Sequence, residues 1–123
     1  MLKGDRRVDL EQLLTKMAED LGEEPKPMRL LGRLAPDAVF EHATNKNFVF
    51  AKEAIPAKYK LLASIAISAA LGSETCTTNY VKSALRKGIT RAEITEAILL
   101  ARFIKGTTVV AASVPAMELL TDR

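Results

Sequence analysis

The segment from Ser73 to Tyr80, SETCTTNY, holds the single cysteine of this 123-residue chain, three residues after a serine and four before a tyrosine. Gly72 stops the helical pattern before it, so Ser73 suits the N-cap of a new helix and Cys76 falls in that helix's first turn. Unpaired backbone N–H groups and the helix macrodipole there favour a thiolate, the nucleophilic form of sulfur. Glu74 opposes them with a negative charge, which leaves the sign of the net effect open. Tyr80 lies one turn on and on the same face. A phenol is a poor base at neutral pH, but it can donate a hydrogen bond. Each residue also has a structural reading. Cys76 would then be a small buried hydrophobe, and Tyr80 a core residue whose hydroxyl finds one partner.

Other chemistry-bearing residues are scattered. His42 is the only histidine and stands beside Glu41, while Glu53 and Glu96 offer carboxylates that read as solvated. One cysteine excludes an internal disulfide, and without a Cys/His cluster no metal or cofactor is expected. The net charge of +3 is spread along the chain, with its densest run from Lys3 to Arg7. No basic helix face alternates with aromatics, so nucleic acid is not an expected partner. The N-terminus is polar and lacks the apolar stretch of a signal peptide. The longest apolar run, Leu61 to Leu71, has eleven residues and includes Ser64 and Ser68, against about 20 for a spanning helix. A cytoplasmic protein with no membrane partner is expected.

The elements that must position Cys76 are helical. Few aromatics, no Trp and abundant Ala and Leu favour closely packed helices. Leu10, Leu13, Leu14, Met17 and Leu21 repeat at helical spacing, with Asp9 and Gln12 placed as a capping pair and Gly22 as the stop. A short polar connection follows from Glu23 to Pro27. Leu30, Leu31 and Leu34 suggest a second helix. Pro36 suits the first turn of a third, which frays at Asn45 to Asn47. The helix from Ala57 to Leu71 is apolar almost all round, so burial on most sides, including by neighbouring subunits, is expected. After the Cys76 helix, Arg86, Lys87 and Gly88 read as a C-terminus. Thr90 and Glu93 form a capping box flanked by a staple of Ile89 and Ile94. That helix is expected to close at Lys105-Gly106, and a last one to run from about Thr108 to Leu120 with a kink at Pro115.

From Pro56 to Gly88 the chain resembles the carboxymuconolactone decarboxylase family, which includes the AhpD-like alkylhydroperoxidases. The segment PAKYKLLASIAISAALG carries the resemblance, and GITRAEITEAILLA extends it, over roughly residues 36–120. The resemblance implies an all-α fold of about six helices around a central helix hairpin, one domain over 1–123, and a homo-oligomer, trimer or hexamer. The family's thiol branch carries a Glu, a C-x-x-C pair and a His, at positions that here read Leu61, Ser73, Cys76 and Tyr80. Cys76 takes the place of the peroxide-attacking cysteine. Ser73 cannot resolve a sulfenic acid as a disulfide, which excludes an intramolecular dithiol cycle.

Three functions follow, in order. The first is a divergent single-cysteine thiol peroxidase, with catalytic residues Cys76, Tyr80 and Ser73 and a small-molecule peroxide and external thiol as partners. The second is a non-catalytic oligomeric binding or scaffold protein. The third is a non-redox lactone or carboxylic-acid decarboxylase, whose proton donor would be Tyr80 or His42.

Overall fold

The computed structural model describes residues 4–121, so the basic run that begins at Lys3 starts outside them. Among these residues the chain is all-α, as expected, with seven helices. They are α1 (Gly4–Leu21), α2 (Lys26–Leu34), α3 (Pro36–Phe50), α4 (Ala57–Ala70), α5 (Glu74–Arg86), α6 (Arg91–Ala112) and α7 (Val114–Thr121). Their contacts group the chain into two compact units, Met1–Ala57 and Lys58–Arg123.

In the first unit, α1, α2 and α3 pack together. Leu14 and Val39 are its fully buried large side chains. Gly32 is buried as well, and a Cβ there would stand 3.6 Å from Leu10 Cδ2 and from Val39 Cγ2. The guanidinium of Arg29 bonds Glu24 and Glu11, joining α2 to α1 and to the turn between them. Three boundaries differ from the sequence reading. Asp9 lies inside α1, because no breaker separates it from the residues before it. α2 starts at Lys26 with Pro27 in its first turn, where a missing N–H costs nothing. α3 continues through Asn45 to Asn47 as far as Phe50.

The second unit is built on a cluster of Leu61, Ile65, Ala84, Ile89, Ile94 and Ala97, with Leu62, Ala66, Tyr80 and Val81 packed against it. Ile65 is wholly buried, so its truncation to Ala costs about 2–5 kcal/mol. The staple residues Ile89 and Ile94 meet in this cluster. The capping box between Thr90 and Glu93 forms in both directions. Gly88, at φ 81°, closes α5 with Ile89 N–H donating to Ala84 O (3.0 Å) and Gly88 N–H to Leu85 O (3.1 Å), a Schellman motif.

α6 does not close at Lys105-Gly106 but runs on to Ala112. One interior Gly costs only about 1 kcal/mol, and the hydroxyls of Thr107 and Thr108 bond back to Ile104 O and Lys105 O. The break comes at Ser113, where α6 and α7 meet at 52°. Pro115 explains the displacement. Its ring clashes with the carbonyl four residues earlier and cannot bond it, so the bend falls before the proline. No single described helix is long and apolar enough to cross a membrane. The α6–α7 pair is, but only across this bend.

Candidate functional site

The α4–α5 hairpin is held by a short set of hydrogen bonds that share one residue. Gly72 has φ 78° and an open surrounding. Its N–H donates to Ala69 O (3.0 Å), and the N–H of Ser73 donates to Ser68 O (3.0 Å). These two bonds are again a Schellman closure, here of α4. Ser73 then caps α5, its Oγ accepting from Cys76 N–H at 3.2 Å. Its carbonyl accepts from Thr77 N–H at 3.1 Å and from Thr77 Oγ1 at 2.6 Å. Ser73 is therefore both the residue that ends one arm and the residue that starts the next.

A second link binds the arms. Thr77 Oγ1 lies 3.0 Å from Ser68 Oγ, and Ser68 Oγ lies 3.2 Å from Ile65 O. Ser68 is buried, so this hydroxyl pair satisfies polar atoms that water does not reach. In the sequence Ser68 reads only as an interruption of an apolar run. Its partner nine residues on appears once the hairpin folds.

Cys76 is exposed in the first turn of α5. The reading of this thiol as a core hydrophobe is therefore incorrect for the folded chain. Thr77 of the same turn faces inward to Ser68, whereas Cys76 takes no place in the cluster that α4, α5 and α6 close. Tyr80 is half-buried against that cluster. Burial raises its phenol above the ordinary value, and the charge of a Cys76 thiolate raises it further. Tyr80 thus stays protonated at neutral pH and can donate but not accept a proton.

Leu61 is buried in the core cluster, where it packs and carries no proton chemistry. Asn79, which the sequence did not single out, has a buried Oδ1 with no hydrogen-bond partner among the described residues. Glu96 is exposed on α6, and in the first unit His42 is exposed on α3 and Glu53 in the connection after it. Among the described residues no three His, Cys, Asp or Glu side chains gather to hold a metal ion.

Two ties outside the hairpin hold its surroundings. Lys58 Nζ, at the start of α4, pairs with Glu93 Oε2 at 2.5 Å. Bonds from Lys58 and from Thr90 pull the Glu93 carboxyl down to about 2. Lys105 Nζ donates to Ala70 O at 2.7 Å, so a residue of α6 satisfies one of the last carbonyls of α4.

Residues 35–119 match the carboxymuconolactone decarboxylase family. The chain belongs to that family. The match covers α3 to most of α7 and agrees within one residue at each end with the extent read from the sequence. No curated protein matches the chain. Within this carboxymuconolactone decarboxylase family protein, the matched region contains both Schellman closures, the Ser73 cap and the Thr90–Glu93 box. These are the features that set where Cys76 and Tyr80 stand.

Proposed function

We propose that this protein is a single-cysteine thiol peroxidase, working in the cytoplasm as a homo-oligomer. The observation that carries the reading is the exposed Cys76 thiol, one turn from a protonated phenol whose pKa burial raises above its ordinary value. The Cys76 thiolate attacks the terminal oxygen of a hydroperoxide. An S–O bond forms, the O–O bond breaks, the sulfur is oxidised to a sulfenic acid, and the peroxide is reduced to an alcohol. Tyr80 O–H donates the proton to the departing alkoxide and recovers one from solvent. Ser73 contributes the cap and no sulfur, so reduction needs an external thiol. One thiol condenses with the sulfenic acid to give a mixed disulfide and water. A second thiol releases Cys76 and leaves as a disulfide.

The oligomer rests on a separate observation. Tyr59, Ile67 and Leu71 of the second unit recur at multiples of four residues and are exposed, and so are Leu99, Leu100, Phe103 and Ile104 on α6. Large exposed apolar side chains in this number are what a contact with another chain covers. A trimer or hexamer would cover it, and it would serve equally in a binding scaffold without catalysis.

The test is alkylation and peroxide oxidation of Cys76 in the native protein. Dimedone should trap a sulfenic acid at Cys76 after a stoichiometric dose of an alkyl hydroperoxide, and turnover should require an added thiol. Tyr80→Phe should slow the peroxide step by at least tenfold, because a positioned acid is worth about 10²–10⁴-fold. A thiol that reacts only after unfolding would overturn the enzyme reading. Light scattering that gives a monomeric mass at micromolar concentration, with the helical fold intact, would overturn the oligomer.

A further inference from the structure

The first unit contains a groove with a charge pattern that nothing in the Cys76 site uses. Its volume is about 480 Å³, and Arg7, Leu10 and Glu11 of α1 face Arg33, Leu34 and Pro36 across it. Among the described residues, neither the Arg7 nor the Arg33 side chain makes an ion pair or hydrogen bond. The acids nearby are already engaged. Glu11 pairs with Arg29 at 3.2 Å, and Glu24 pairs with the same guanidinium. Two guanidinium groups from different helices therefore line the groove, and Glu11, the one carboxylate in that lining, is engaged by Arg29. The apolar side is also open. Leu34 is 85 % exposed.

We propose that this groove binds a small amphipathic carboxylate, the anion held between Arg7 and Arg33 and a short alkyl body laid on Leu10, Leu34 and Pro36. The planar fork of arginine suits a carboxylate, which can accept from two guanidinium groups at once. An inorganic anion would leave the leucines uncovered, and a neutral alkyl ligand would leave both cations unpaired. A groove of this size is in the range that accommodates small organic ligands.

Hexanoate titrated into the full-length protein, followed by NMR of the leucine methyls and arginine Nε–H groups, tests this. Saturable shifts at Leu10, Leu34, Arg7 and Arg33, with a dissociation constant below about 10 mM, are expected. R7Q and R33Q should each weaken binding about tenfold, the loss of one charge-assisted pair. Both side chains are exposed, so the unfolding midpoint should not move. The double lysine variant R7K/R33K keeps the charge and should bind with intermediate affinity if either glutamine variant folds poorly. Hexan-1-ol shifting the same methyls as strongly, or inorganic phosphate binding as tightly, would overturn the amphipathic assignment. So would hexanoate binding that survives in R7Q/R33Q. None of these outcomes bears on the reactivity of Cys76, so failure here leaves the peroxidase reading to its own test.

Discussion

Replacing Ser73 by Ala removes one interaction from the hairpin and leaves the rest in place. The Ser73 N–H still closes α4 on Ser68 O, and its carbonyl still accepts from Thr77. Only the 3.2 Å bond from Cys76 N–H to Ser73 Oγ is lost. An N-cap of this kind is worth about 1 kcal/mol. For a domain of this size that lowers the unfolding midpoint by about 4 °C and, at a urea slope near 2 kcal/mol/M, the denaturation midpoint by about 0.5 M. The same loss frays the first turn of α5, so hydrogen exchange of the Cys76 amide should speed by about fivefold, in line with a loss of about 1 kcal/mol. Ser73→Asp restores an acceptor and should recover most of the stability. Ser73→Cys should stay as low as Ala while reduced, because sulfur is a weak acceptor. If Ser73→Ala unfolds within about 0.3 kcal/mol of the parent by urea titration and the Cys76 amide exchanges at an unchanged rate, the cap does not hold this turn and the reasoning fails.

Other consequences are equally direct. The Glu93 carboxyl titrates at about 2, below its ordinary value of 4.5. Its contribution to stability is complete above pH 4.5 and is lost as pH falls toward 2, so Glu93→Gln should flatten the acid limb of a pH–stability curve. Tyr80 should ionise above 10, by ultraviolet difference titration against Tyr80→Phe. Cys76→Ser should lower that value only in part, because burial is the larger cause. Gly32→Ala should stabilise the chain by about 0.5–1 kcal/mol in urea unfolding, since the new Cβ meets Leu10 and Val39 at 3.6 Å, an ordinary contact. Carboxymuconolactone should not be decarboxylated at a measurable rate. Turnover abolished by Tyr80→Phe would show that a phenol held protonated can still carry that proton transfer.

Much of the hairpin's construction was legible because its causes are local. A Schellman closure spans six residues, a capping box four, and a staple six. The glycines at 72 and 88, the Thr90–Glu93 pair and the Ile89–Ile94 pair therefore announce themselves in the linear order of residues. The same holds for Ser73 as a cap and for Tyr80 on the face of Cys76, which need only the helical period. Where local signals compete, the sequence misled. Gly106 reads as a stop, yet α6 passes through it, because one unfavourable residue is outweighed by a turn of satisfied backbone bonds on either side. Pro115 reads as the place of the bend, and the bend falls at Ser113 because proline acts on the carbonyl four residues before it.

Tertiary structure alone decided the remainder. Whether Cys76 is covered depends on what α4, α5 and α6 bring over the first turn of α5, and a lone cysteine carries no mark of that. The upward shift of the Tyr80 phenol follows first from its burial against the cluster around Leu61 and Ile65. Lys58 with Glu93, Lys105 with Ala70, and Ser68 with Thr77 join residues separated by 35, 35 and 9 positions. No periodicity encodes such pairs. They form because helices packed through small and aliphatic side chains bring distant polar groups within hydrogen-bonding reach, and each such group then takes the nearest partner.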